Sequence, residues 1–204
     1  MSIKGIVVSS GVAFGQALHL NLHHEKIDYR RLPSSQIAGE QLKLDQAFAK
    51  QKSHLEQGLA KLDADSEHYA LIEADILFLD DESLLELVAA EINQLQINAA
   101  VAIERVFSLQ ASELEQLDDP YLANRAQDVL CLASRLIARL SGAQHLDLSQ
   151  LSQPTIILAP DLTPAEFAML PLQHISGLVL NTGGLTSHTA ILARSAGIPA
   201  LLSY

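Results

Sequence analysis

The chain has 204 residues, 49% of them hydrophobic, and a formal net charge of −11. That is enough apolar material to bury a core in one or two domains, and too acidic a balance to hold nucleic-acid phosphates, with no basic patch interleaved with aromatics to offset it. A single cysteine, Cys131, leaves no intrachain disulfide and agrees with a reducing, cytoplasmic setting, and no segment approaches a membrane span.

Residues 1 to about 20 read as short β-rich runs punctuated by Gly11 and Gly15. Lys4 and the brief apolar run after it make a strand rather than a signal peptide. A polar connector carrying His23, His24 and Glu25 follows. Adjacent histidines point to opposite faces of an extended chain and no third ligand is suitably spaced, so no metal site is expected there.

From about Pro33 to Leu140 the period becomes helical. Ile37, Leu44, Phe48, Leu55, Leu59 and Leu62 form a stripe at intervals of three, four and seven. A break at Asp80-Asp81-Glu82 precedes Ser83, expected to cap a helix over Leu84 to Leu95. Asn98 is expected to cap a third helix towards Leu117. Asp119-Pro120 reads as N-cap and first position of a fourth, ended by Ser141-Gly142. Cys131 lies inside this last apolar run and reads as a buried small hydrophobe. Beyond Leu151 strands return as Thr155 to Ala159 and Gly177 to Leu180, with Thr163-Pro164 opening a short helix between them. Strands at both ends around helices imply an α-helical subdomain (21–143) inserted into an α/β domain built from 1–20 and 144–204.

Charge is concentrated in the insert. Residues 63 to 119 hold 15 acidic residues and one basic residue, Arg105. Such a block serves either as a solvated helical face or as a landing surface that steers a basic partner.

The richest segment runs Gly183-Gly184-Leu185-Thr186-Ser187-His188, between the 177–180 strand and an apolar helical pattern over Thr189 to Ala196, with Gly197 and Pro199 as stop signals. The glycines let backbone approach a ligand, Thr186 is a natural N-cap, and His188 falls in the first helical turn, where amides and dipole favour an anion. An imidazole beside an anion site suits nucleophilic phosphoryl carriage. A Ser187–His188 hydrolase is excluded, because neighbours on a helix do not face each other and no carboxylate is placed to orient a base. His68, beside Glu67 and Tyr69, reads as surface decoration or a partner contact.

Gly183 through Ala200 resembles the phosphohistidine signature shared by enzyme I of the bacterial sugar phosphotransferase system, pyruvate phosphate dikinase and phosphoenolpyruvate synthase. Gly5 to Leu18, Leu77 to Leu84, Leu117 to Asp128 and Asp161 to Pro164 resemble successive stretches of the N-terminal half of enzyme I. The resemblance implies an α/β phosphohistidine (swivelling) domain interrupted by an α-helical bundle that binds the phosphocarrier HPr. It implies that His188 is the phosphorylated nucleophile, supported by Gly183, Gly184, Thr186, Ser187 and Thr189. It also implies a phosphoenolpyruvate and Mg2+ site, with the dimer contact, in a C-terminal barrel that these 204 residues do not include, so that this segment is monomeric and has no metal of its own. On the partner face it suggests Leu77, Phe78, Leu84 and Leu122 as apolar anchors, with Glu67, Glu73, Asp75, Asp81, Glu82 and Arg125 around them.

Three departures stand out. Leu185 replaces a usual arginine, Phe167 a threonine that supports the histidine ring, and Asp75 a histidine on the HPr face. They point to a paralogue or the enzyme I module of a multidomain protein, and they keep open a non-catalytic binding module with an acidic helical face.

Overall fold

The computed structural model describes residues 5–20, 27–140, 151–160, 162–181 and 187–203, with side chains for all but 67, 120–124 and 203. The chain divides into two compact units, one of residues 1–22, 56–72 and 145–204, the other of 23–55 and 73–144.

The first unit is built on a five-stranded sheet. Its strands are β1 (Gly5–Ser9), β2 (Gln16–His19), β3 (Thr155–Ala159), β4 (Ile175–Leu180) and β5 (Ala200–Ser203), in the order β1-β5-β4-β3-β2. β1 runs antiparallel to β5, pairing Gly5 with Ser203, and every other pair is parallel. Strand β5 was not anticipated, since four residues after a proline carry almost no periodicity. In β3, Thr155, Ile157 and Ala159 are buried in alternation, the sign of a strand with one face on a core. That core gathers Ile157, Leu162, Phe167, Leu178, Leu180, Ala190, Ala193 and Leu202.

Two short helices sit on this core. α6 (Pro164–Ala168) opens with a complete capping box: the Thr163 hydroxyl accepts from the Glu166 amide, and the Glu166 carboxylate accepts from the Thr163 amide at 2.8 Å. α7 (His188–Ser195) packs against β1, β5 and α6. It ends as the sequence signals. Gly197 takes φ +66°, its amide reaches the Arg194 carbonyl, and the Ile198 amide reaches the Ala193 carbonyl at 2.9 Å, a Schellman closure.

The second unit is helical. α1 (Ser34–Leu59) enters from it and passes its last turn to the first unit, and α2 (Glu67–Leu79) follows the turn around Asp63. In that turn Ser66 Oγ donates to the Asp63 carbonyl and accepts the Tyr69 amide, which opens α2. The centre of the expected stripe is borne out, with Leu44, Phe48 and Leu55 buried, whereas Ile37 and Leu59 are half-buried and Leu62 lies past the end of α1. At its end Gly58 lets the helix lie against α6, since a Cβ there would stand 3.0 Å from the Cα and Cβ of Ala165.

α3 (Glu82–Leu95), α4 (Ala99–Glu115) and α5 (Pro120–Leu140) complete the bundle, α3 packing on α4 and α4 on α5. Asn98 caps α4 as expected, its side chain accepting from the Val101 amide at 2.9 Å. The cap of α3 is Asp81, not Ser83. The Asp81 carboxylate takes both the amide (2.9 Å) and the hydroxyl (2.6 Å) of Ser83, so the helix starts two residues earlier, at Glu82. Cys131 is half-buried rather than fully enclosed. At the centre of the bundle Phe107 has no exposed surface, and the rings of Phe48 and Phe78 meet it edge-on at 6.3 Å and 5.6 Å. Among the described residues no helix is long and apolar enough to cross a membrane.

Candidate functional site

His188 is the first residue of α7. Its helix is capped by Ser187, whose hydroxyl accepts the Ala190 amide at 3.3 Å and whose carbonyl accepts the Ile191 amide at 3.0 Å. The expected cap, Thr186, lies outside the described residues, as do Gly183, Gly184 and Leu185. The reason for the shift is local: Ser187 has the extended backbone, φ −63° and ψ 154°, that an N-cap needs. His188 therefore stands where first-turn amides and the helix dipole favour a negative charge.

The rest of the helix is firmly anchored. Ala190 and Ala193 are fully buried. Thr189 is buried as well, and its hydroxyl donates to the Leu162 carbonyl. That bond ties α7 to the segment before α6 and commits the hydroxyl proton, which corrects the expectation that Thr189 reaches a phosphoryl group.

The His188 ring is half-buried. Its Nδ1 is enclosed and has no hydrogen-bond partner among the described residues. Phe167, at the position where a ring-supporting threonine was looked for, is buried in the sheet core. It supplies packing and no acceptor. The neighbour of His188 that sequence reasoning missed is His68, half-buried on the first turn of α2. The two imidazoles meet edge to face with centroids 5.8 Å apart and planes at 83°. No spacing rule links residues 120 positions apart, so nothing in the sequence could single out His68.

The proposed partner face lies in the helical unit, and the structure sorts its members. Leu77 is 66% exposed, and Glu73 and Glu82 are exposed beside it in sequence. Leu84 is buried at 3% exposure, so it belongs to the core and is not an anchor for a partner. Phe78 is half-buried, with its ring edge-on to Phe107. The Leu84 correction has a local cause: at a helix start the inward stripe and an exposed apolar patch look alike in sequence. Asp81 is spent as a cap. The side chains of Glu67 and Leu122 lie outside the described residues.

Asp75 and Arg125 form a pair of a particular kind. The Arg125 guanidinium binds Asp128 at 2.7 Å and Asp75 at 3.5 Å, and all three are partly buried. Burial chiefly, with Asp128 nearby, pushes the Asp75 carboxyl up to about 7 against the pull of Arg125. One guanidinium cannot neutralise two carboxylates. In the unfolded chain an aspartate titrates near 3.9. Between about pH 4 and pH 7 the folded state thus keeps a proton that the unfolded state has lost, and stability falls as pH rises through that window. Asp75→Asn should match the parent near pH 4 and exceed it at pH 8 by about 1–3 kcal/mol. Urea melts at the two pH values would measure this, and parallel profiles would show that Asp75 stays charged.

The acidic block is less free than its formal charge implies. Asp80 pairs with Lys52, Glu91 with Arg105, and Glu104 accepts from the Tyr29 hydroxyl.

Two family descriptions match the chain: PEP-utilising enzyme, N-terminal, over residues 4–125, and PEP-utilising enzyme, mobile domain, over residues 151–204. The phosphoenolpyruvate-protein phosphotransferase of Haemophilus influenzae is 35% identical over 204 residues, an alignment that covers 98% of this chain and 35% of that protein. The protein of the same name from Geobacillus stearothermophilus is 34% identical over 205 residues, with the same coverage. The chain thus spans about a third of the length of these curated relatives. Among solved structures, a solution structure of Enzyme I superposes with a TM-score of 0.79 at 31% identity, covering 98% of this chain and 81% of that one. The N-terminal domain of Enzyme 1 – Nitrogen superposes with a TM-score of 0.70 at 25% identity, covering 98% and 83%. With its mixed sheet and helical bundle, the chain belongs to the PEP-utilising enzyme family, as a counterpart of the N-terminal region of enzyme I.

Proposed function

We propose that this chain is the phosphocarrier portion of a phosphoenolpyruvate-protein phosphotransferase, taking a phosphoryl group on His188 and exchanging it with a histidine of HPr. The observation that carries this reading is the placement of His188 at the capped start of α7, with Nδ1 enclosed. Enclosure of Nδ1 leaves Nε2 to attack. In the transfer from phospho-HPr, Nε2 of neutral His188 attacks phosphorus in line, the donor's N–P bond breaks as the new one forms, and Nδ1 keeps its proton. The helix start offers its amides to the phosphoryl oxygens, with Gly183, Gly184, Thr186 and Ser187 as neighbours.

In this reading the α/β part, residues 1–20 and 144–204, with 56–72 in the same compact unit, is the swivelling phosphohistidine domain, and the rest of 21–143 is the HPr-binding insert, working in the cytoplasm. Phosphoenolpyruvate, Mg2+ and the dimer contact belong to another region of the relatives. Among the described residues no three His, Cys, Asp or Glu side chains are grouped to hold a metal ion, and no step here is routed through one. A purely non-catalytic binding module is not favoured by the relatives' names.

Incubation with phospho-HPr should place one acid-labile, base-stable phosphate on each chain, whereas phosphoenolpyruvate with Mg2+ should place none. Labelling by phosphoenolpyruvate alone would show that the donor site had been misassigned.

The partner surface is tested separately. Leu77→Ala should weaken HPr binding by about 1–3 kcal/mol, mostly through faster dissociation. Neutralising Glu73 and Glu82 should instead slow association and flatten its salt dependence. Stopped-flow binding at several ionic strengths separates the two, and association that is fast and indifferent to salt would remove the landing-surface role.

A further inference from the structure

His68 and His188 come from elements 120 residues apart, yet their rings meet edge to face at 5.8 Å inside one compact unit. The contact places a titratable imidazole against the group proposed to carry phosphate, at a site where Leu185 offers no cation. Arg194, on the last turn of α7, directs its guanidinium to the Val8 carbonyl at 3.4 Å. We infer that His68 is a positioning residue of this site, which takes up a proton when His188 is phosphorylated and then serves as the cation beside the phosphoryl group. This rests on the phosphohistidine reading of His188.

The chemistry requires no further component. A neutral imidazole packs against a neutral imidazole at little cost, whereas a phosphoryl group brings a charge of about −1.5 to −2 at neutral pH. An opposite charge a few ångströms away favours the protonated ring, and an ordinary histidine already titrates near 6.5, so a proton from solvent suffices. Other ionisable groups on the surrounding elements are Lys61, Asp63, Asp65, Glu67, Tyr69 and Glu73 around His68 in sequence, Glu56 at the end of α1, Glu166 on α6, and Arg194 and His188 itself on α7. Glu166 is held by the α6 cap. The carboxylates favour the protonated ring in both states, so the difference between states comes from the phosphoryl group. As pH rises through the titration of His68, the cation is lost and the phosphorylated form weakens relative to the unphosphorylated one.

The test uses the full chain loaded from phospho-HPr, with imidazole resonances followed by NMR from pH 5.5 to 9. The midpoint of His68 should rise by about one unit on phosphorylation. At equilibrium with phospho-HPr, parent occupancy should fall relative to His68→Lys as pH climbs from 6 to 8.5, while His68→Gln should lie below both at low pH and lack that fall. An unchanged His68 midpoint in a chain phosphorylated on His188, or a parental pH profile in His68→Gln, overturns the role of His68 alone. A parent chain that accepts no phosphate overturns the phosphohistidine reading and this proposal with it. If His68→Gln fails to fold, the titration of the parent still decides.

Discussion

Replacing His188 with alanine should abolish phosphate uptake from phospho-HPr while moving the melting temperature by no more than a few degrees. The two halves of that expectation have different physical origins. Chemically, His188 is the imidazole that opens α7, Ser187 beside it is engaged as the cap, and the neighbouring His68 ring is assigned the supporting role. Structurally, α7 is fixed by Ala190 and Ala193, by the bond from Thr189 to the Leu162 carbonyl, and by its Schellman end at Gly197. Alanine is a good helix former at any of these positions. The variant loses only a half-buried ring and its contact with His68, worth about 1 kcal/mol. Phosphate incorporation and a thermal melt on the same preparation give both numbers. Undiminished uptake would remove His188 from the reaction, and a large fall in melting temperature would make it a structural residue.

The largest stability effect should come from the other unit. Phe107→Ala should cost about 3–5 kcal/mol, because a fully buried ring is removed and the edge-on contacts of Phe48 and Phe78 lose their common partner. Collapse of the cavity is limited, since its lining comes from three different helices. Equilibrium unfolding in urea measures the loss, with Leu77→Ala as the contrasting variant. Leu77 is 66% exposed and its truncation should stay within about 0.5 kcal/mol. A loss below 1 kcal/mol at Phe107 would mean that the aromatic cluster is not the keystone of this bundle.

What the sequence disclosed and what it hid follow from the range of each signal. The stripe of Leu44, Phe48 and Leu55, the cap at Asn98 and the glycine stop at Gly197 are local patterns read within one or two turns, and each is found as expected. The α3 cap slipped from Ser83 to Asp81 because two capping side chains stand within one turn, and only geometry shows which takes the amide. Strand β5 was hidden because its strandness comes from pairing with β1 and β4, not from its own four residues. Leu84 is buried although it was expected at the surface, because apolar residues at a helix start fit either side. At the site, His188 was legible through a long local motif. His68 was not, because the contact is purely tertiary, and Thr189 was misread because its acceptor, Leu162, is 27 residues away.

The central claim is that phosphate resides on His188 at Nε2. The direct measurement is NMR of the chain, labelled with 15N-histidine and loaded from phospho-HPr, in which phosphorus–nitrogen coupling identifies the bonded atom. The account predicts one phosphorylated ring, His188, coupled through Nε2, with the signal absent from His188→Ala. Phosphate on Nδ1, or on another histidine such as His54 or His68, would contradict it.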